Sequence, residues 1–158
     1  MNTPNNKIYP SKDIHFHKDH IEVQGGNPLK GNLKISGAKN SALVLMAASI
    51  LSKGQINLSN VPIISDVEIM SNLLMAMGIN IKSHTNNLSI NTDRIHQPPQ
   101  ELSFDLYKTL RASFFCIGPI LARFGIAKIP LPGGCCIGSR PIEEHIDALK
   151  KLGVQFKF

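Results

Sequence analysis

Two stretches of this chain follow one plan, and that repetition limits the available folds more than any other feature. Residues Ala42 to Lys82 open with a small-residue apolar run, Ala42-Leu-Val-Leu-Met-Ala-Ala-Ser-Ile-Leu51. Residues Ala112 to Lys157 open with Ala112-Ser-Phe-Phe-Cys-Ile-Gly-Pro-Ile-Leu121. Each run is followed by a basic residue and a glycine (Lys53-Gly54; Arg123-Phe124-Gly125) and then by a short strand. Each copy ends in an amphipathic helix stopped by glycine and then a strand: Met77-Gly78-Ile-Asn-Ile-Lys82 in the first, Leu152-Gly153-Val-Gln-Phe-Lys157 in the second. The copies lie 70 residues apart at Ala42 and Ala112 but 75 apart at Gly78 and Gly153. The second therefore carries about five extra residues, around Leu131 to Arg140. Insertions in repeats map to loops, and loops on a shared scaffold are where function concentrates.

Local signals agree with an α/β unit used twice. Ser65 or Asp66 can cap a helix whose apolar positions Val67, Ile69, Met70, Leu73, Leu74 and Met77 form a helical stripe, and Gly78 can end it. Pro141 suits the first turn of the matching helix, with Ile142, Ile146, Leu149 and Leu152 as its buried face. Leu33-Lys-Ile35, Gln55-Ile-Asn-Leu58 and Leu88-Ser-Ile90 alternate as half-buried strands do. Pro98-Pro99 marks the join, giving units of about 21–97 and 98–158 behind a mobile tail of residues 1–20. A chain ending at Phe158, where a strand begins, is expected to be cut off from further copies.

Composition narrows the function classes. Apolar content of 42% against 18% charged residues indicates a chain that can bury a core. The net charge of +6 favours anionic partners. The basic residues are scattered and there is no Trp, so neither a basic run nor a stacking platform for nucleic acid is present. Three cysteines do not make a disulfide framework, which suits a reducing, cytoplasmic compartment. Lys53 ends the longest apolar run well short of the ~20 residues a membrane helix needs. The first twenty residues lack the apolar stretch of a secretory signal.

Several positions could carry chemistry. The extra loop, Leu131-Pro-Gly-Gly-Cys-Cys-Ile-Gly-Ser-Arg-Pro141, places Cys135 among glycines and five residues before Arg140. A thiol in a hinged, electropositive loop can ionise or deliver a proton near neutral pH; a cysteine merely buried in a turn fits the same letters. Ser36-Gly-Ala-Lys-Asn40 is a strand-to-helix junction at which free N–H groups and Lys39 favour an anion, although a capped helix beside a solvated lysine reads alike. Arg111 falls at the equivalent helix entrance of the second copy. Two such entrances could converge on one anion, or Arg111 could make a surface ion pair. Cys116, inside an apolar run, reads as packing. Glu143 and Glu144 suit the start of a helix by its dipole alone, and His145 reads as capping or surface. His15, His17 and His20 are close in sequence, but tail ligands without supporting contacts hold metal loosely, so no metal or cofactor is expected.

Taken together these segments resemble one family. Ile35-Ser-Gly-Ala-Lys-Asn40, Lys108-Thr-Leu-Arg-Ala-Ser113, Gly118-Pro-Ile-Leu-Ala-Arg-Phe-Gly125, Leu131-Pro-Gly-Gly-Cys135 and Ile137-Gly-Ser-Arg-Pro141 are similar, in order, to the UDP-N-acetylglucosamine 1-carboxyvinyltransferases. The likeness runs from about Ile21 to Phe158. It implies the amino-terminal portion of an enolpyruvyl transferase fold, an inside-out α/β barrel, here truncated. It also implies addition of the 3′-hydroxyl of UDP-N-acetylglucosamine to phosphoenolpyruvate with loss of phosphate, a step of peptidoglycan synthesis. By the same resemblance Cys135 is the proton donor and the residue fosfomycin alkylates. Lys39 and Asn40 lie at the phosphoenolpyruvate site, Arg111 contacts ligand, and Arg140 holds phosphate beside the thiol. Arg140, Pro141, Ile142, Glu143 and Glu144 cradle the uridine, with Glu143 where the family has Asp. The family's base and further arginines lie outside these residues, so the chain alone is expected not to turn over. Two other readings remain: a 5-enolpyruvylshikimate-3-phosphate synthase-like enzyme, and a remnant that only binds a nucleotide sugar.

Overall fold

The computed structural model describes residues 14–26, 28, 30–95, 110–130 and 141–157. By internal contacts the chain forms two units, one up to Lys34 and one from Ile35 onward. In the first, β1 (Ile14–Phe16) and β2 (Ile21–Val23) pair antiparallel, with Ile14 opposite Val23. The turn is closed by the His17 N–H donating to the His20 carbonyl at 2.9 Å. This hairpin crosses the division drawn at residue 20 between tail and repeat.

The second unit begins with α1 (Lys39–Ala48), which tightens into a 3-10 turn at Ser49–Leu51. Then come β3 (Gln55–Leu58), α2 (Ser65–Ala76), β4 (Asn80–His84) and β5 (Asn87–Asn91). The three strands form an antiparallel sheet in the order β3-β5-β4. Period-two alternation sorts its faces. Ile56, Ile90 and Ile81 stand in one row across the sheet, while Gln55, Asn91 and Asn80 make a polar row. Ile90, on the central strand, is fully buried. The apolar face joins Leu43, Met46, Ala47 and Ile50 of the first helical run and Val67, Met70, Leu73 and Leu74 of α2 in one core. The stripe expected of α2 is thus the buried one, with Ile69 half-buried at its margin.

The second copy reproduces the helices of the first. A 3-10 segment, Arg111–Cys116, leads into α3 (Ile117–Phe124), and α4 spans Glu143–Lys151. The continuous helix expected over Ala112 to Leu121 is therefore split. Pro119 has no N–H to offer the Phe115 carbonyl, and its ring crowds that group, so regular α-helix starts only at Ile117, where proline is tolerated in the first turn. The amphipathic helices α2 and α4 end alike. Gly78 N–H donates to Met75 and Ile79 N–H to Leu74, at 2.9 and 3.1 Å; Gly153 N–H donates to Lys150 and Val154 N–H to Leu149, again at 2.9 and 3.1 Å. Both glycines are left-handed, with φ of 90° and 94°, as this double-bonded helix stop requires. The two helix stops match down to individual hydrogen bonds.

Arg123 joins the copies. One guanidinium nitrogen donates to the Ile50 and Ser52 carbonyls, both at 2.9 Å, and the other to Thr92 and Ile95 at 3.1 and 3.0 Å. Its stem belongs to α3, whereas every acceptor belongs to the first copy.

Other expectations are corrected. Leu33–Ile35 makes no ladder; its apolar side chains are 79% and 77% exposed at Leu33 and Ile35, and a strand without a neighbour has nothing to bond. The second copy's strands, after Gly125 and after Gly153, are likewise unpaired among the described residues. Neither Ser65 nor Asp66 caps α2: the cap position is Ile64, without a side-chain bond. Pro141 lies one residue before the cap position of α4, Ile142. On α4, Ile146 is buried, but Leu152 is 81% exposed. Pro98-Pro99 falls outside the described residues.

Candidate functional site

Lys39 and Asn40 open α1, both exposed, at a helix start with no side-chain cap. Its first N–H groups are therefore available to an anion. The junction before them is held by backbone interlock. A Cβ on Gly37 would overlap the Asn60 carbonyl oxygen, so only glycine allows the two chains to pass this closely. Asn60 is left-handed at φ 55°, and the Val61 N–H anchors the same segment to the Asn86 carbonyl at 2.7 Å. Lys39 Nζ donates to Asp66 Oδ1 at 3.1 Å. The start of α1 is thus tied to the start of α2, where Asp66 sits in the first turn beside the positive helix end.

Arg111 stands first in its 3-10 segment, half-buried and engaged with neighbouring groups. This segment packs against α1, which supports the equivalence of the two helix entrances. Pro141 is exposed, Ile142 is half-buried, and Glu143 and Glu144 are exposed in the first turn of α4. The α4 start meets the second apolar run through His145, whose ring stands edge-on to Phe114 at 5.7 Å between centroids. His145 therefore packs on an aromatic ring. Cys135 and Arg140 lie outside the described residues.

Cys116 is fully buried, and burial pushes its thiol up to about 12, the behaviour of a packing residue. In the hairpin, His17 and His20 stack at 4.3 Å, and His17 Nε2 lies 3.6 Å from a Glu22 carboxylate oxygen. Among the described residues, no three His, Cys, Asp or Glu side chains gather as metal ligands. Sequence reasoning missed Asp66 as a partner of Lys39 and Arg123 as the clasp between copies. Nothing local announces either, since their partners stand 27 to 73 residues away.

A family model described as EPSP synthase (3-phosphoshikimate 1-carboxyvinyltransferase) matches residues 23–158. The chain belongs to this carboxyvinyltransferase family. Within the family, it is 53% identical over 136 residues to a UDP-N-acetylglucosamine 1-carboxyvinyltransferase of Prochlorococcus marinus strain NATL1A, covering 86% of this chain and 29% of that protein. A second protein of that name, from Prochlorococcus marinus strain MIT 9313, is 50% identical over 142 residues, covering 89% and 32%. A third, from strain MIT 9515, matches over 151 residues at 49%, covering 96% and 31%. The chain thus spans about 30% of the length of these carboxyvinyltransferases. Among solved structures it is similar to the enolpyruvyl transferase NikO from Streptomyces tendae, with a TM-score of 0.66 and 22% identity, over 83% of this chain and 28% of that one. That likeness shows the fold: the repeated α/β units are those of an enolpyruvyl transferase.

Proposed function

We propose that this chain supplies part of the active site of a UDP-N-acetylglucosamine 1-carboxyvinyltransferase, which moves the enolpyruvyl group of phosphoenolpyruvate to the sugar 3′-hydroxyl. The observation that carries the reading is the relatives' shared name at about half identity across most of this chain. The same names favour UDP-N-acetylglucosamine over a shikimate acceptor.

The chemistry asks for what these residues offer. Protonation of C3 leaves cationic character at C2, which the sugar oxygen attacks while losing its own proton. Loss of a C3 proton and cleavage of the bond from C2 to the phosphate oxygen then release phosphate and restore the C2=C3 double bond, now as the sugar's enol ether. A positioned acid is needed at C3, and Cys135 is assigned that role. The donor carries a carboxylate and a phosphate; Lys39 and Arg111 from the two helix entrances and Arg140 beside the thiol supply the complementary charge. Asn40 faces the sugar, and Pro141, Ile142, Glu143 and Glu144 hold the uridine. No helix among the described residues is long and apolar enough to cross a membrane. We place the protein in the cytoplasm, where cysteines stay reduced.

Fosfomycin with UDP-N-acetylglucosamine tests the assignment. Alkylation at Cys135, mapped by peptide mass spectrometry and abolished in Cys135→Asp, is the expected result. Modification elsewhere, or none, overturns it. Because the chain covers about 30% of its relatives, a second reading is binding without turnover. Both readings expect no phosphate release from this chain alone; alkylation of Cys135 belongs to the first, and calorimetric binding of UDP-N-acetylglucosamine without alkylation belongs to the second.

A further inference from the structure

Lys39, the cation assigned to the anionic donor, is held by an acid at the start of the neighbouring helix. Its Nζ donates to Asp66 Oδ1 at 3.1 Å across 27 residues of chain. The lysine side chain is 51% exposed and the aspartate 32%. An ammonium has three N–H donors, and this bond uses one, so the rest of its capacity is left for a ligand. The Asp66 carboxylate is compensated from behind by the first turn of α2, which limits its repulsion of a second anion. The backbones on both sides are fixed, by the Gly37–Asn60 interlock and by the Val61-to-Asn86 bond.

We propose that Asp66 is a positioning residue for the donor site: it holds the Lys39 ammonium at the entrance of α1, so that the phosphate or carboxylate of the donor meets a cation already in place. This rests on the reading that Lys39 binds phosphoenolpyruvate. Lysine is among the side chains that lose most freedom on ordering. The tether moves that loss from the binding event to folding, and affinity gains accordingly. Asp66 touches no reacting atom in this scheme and takes no proton.

The test titrates phosphoenolpyruvate into the isotope-labelled 158-residue chain, following amide resonances from Lys39 to Ala42. Wild type is expected to show saturable shifts. Asp66→Asn is expected to weaken the dissociation constant about fivefold, the scale of immobilising one flexible side chain. Lys39→Met is expected to weaken it at least as much. Adding Asp66→Asn to Lys39→Met should change nothing further, because Asp66 acts only through the lysine; a purely structural role would weaken both backgrounds alike. Should Asp66→Asn lose its dispersed spectrum, Asp66→Glu is read in its place, since it keeps the charge and moves it by one methylene. No saturable shift in wild type overturns the donor-site reading and the positioning role with it. Saturable binding in wild type with equal or tighter binding in Asp66→Asn overturns the positioning role alone, and tighter binding marks the carboxylate as a competitor for Lys39.

Discussion

The Cys116 thiol, buried and raised from 9.0 to about 12, has a measurable consequence. Iodoacetamide at pH 8 is expected to spare it in the folded chain and modify it in concentrated urea, as read by peptide mass mapping. The alkaline limb carries a sign as well. The folded pKa lies above the unfolded one, so unfolding releases a proton from this thiol between about 9 and about 12. Its contribution to stability is whole below that window and falls as pH rises through it. Gly37 gives a second residue-level expectation. Gly37→Ala forces a methyl group into the Asn60 carbonyl and should cost on the order of 2 kcal/mol or more in urea unfolding, because backbone must move. At this scale the sequence was readable where chemistry is local. Lys39 and Asn40 do open an uncapped helix, and Cys116 is core. The sequence offers Asp66, like Ser65, only as a cap, because its partner Lys39 is 27 residues away, a distance that no local pattern spans.

Elements were legible in proportion to how far their bonding is internal. Helices close their own hydrogen bonds, and α1, α2, α3 and α4 arise close to where apolar period, proline and glycine put them. The departure inside the second apolar run, a 3-10 segment over Arg111–Cys116, falls just before Pro119. Strands borrow their bonds from neighbours, so the alternation at Leu33–Ile35 and after Gly153 was a true signal of amphipathic chain without being a guarantee of a ladder. The matched stops at Gly78 and Gly153 permit a paired test. Gly78→Ala and Gly153→Ala should each cost about 1 kcal/mol by urea denaturation, and by similar amounts, since each forces an L-residue into the left-handed region. Very unequal costs would argue against equivalent joints.

For the whole molecule, the expected behaviour is recognition without chemistry. The purified 158-residue chain, given phosphoenolpyruvate and UDP-N-acetylglucosamine, should release no phosphate above background; robust turnover would refute this. The clasp at Arg123 is the larger structural commitment. Arg123→Met removes four hydrogen bonds at once, although the Ser52 and Thr92 carbonyls still accept from Thr92 Oγ1 and the Ile95 N–H, and should lower stability by about 2–4 kcal/mol in chemical denaturation. Arg123→Lys should not rescue it, because a point charge cannot reproduce a planar fork. Every carbonyl in that grip lies upstream of the arginine, by 28 to 73 residues. A ribosome therefore finishes the socket before it makes the plug. Translation runs in the direction of docking, and each nascent unit can seat itself on one already complete.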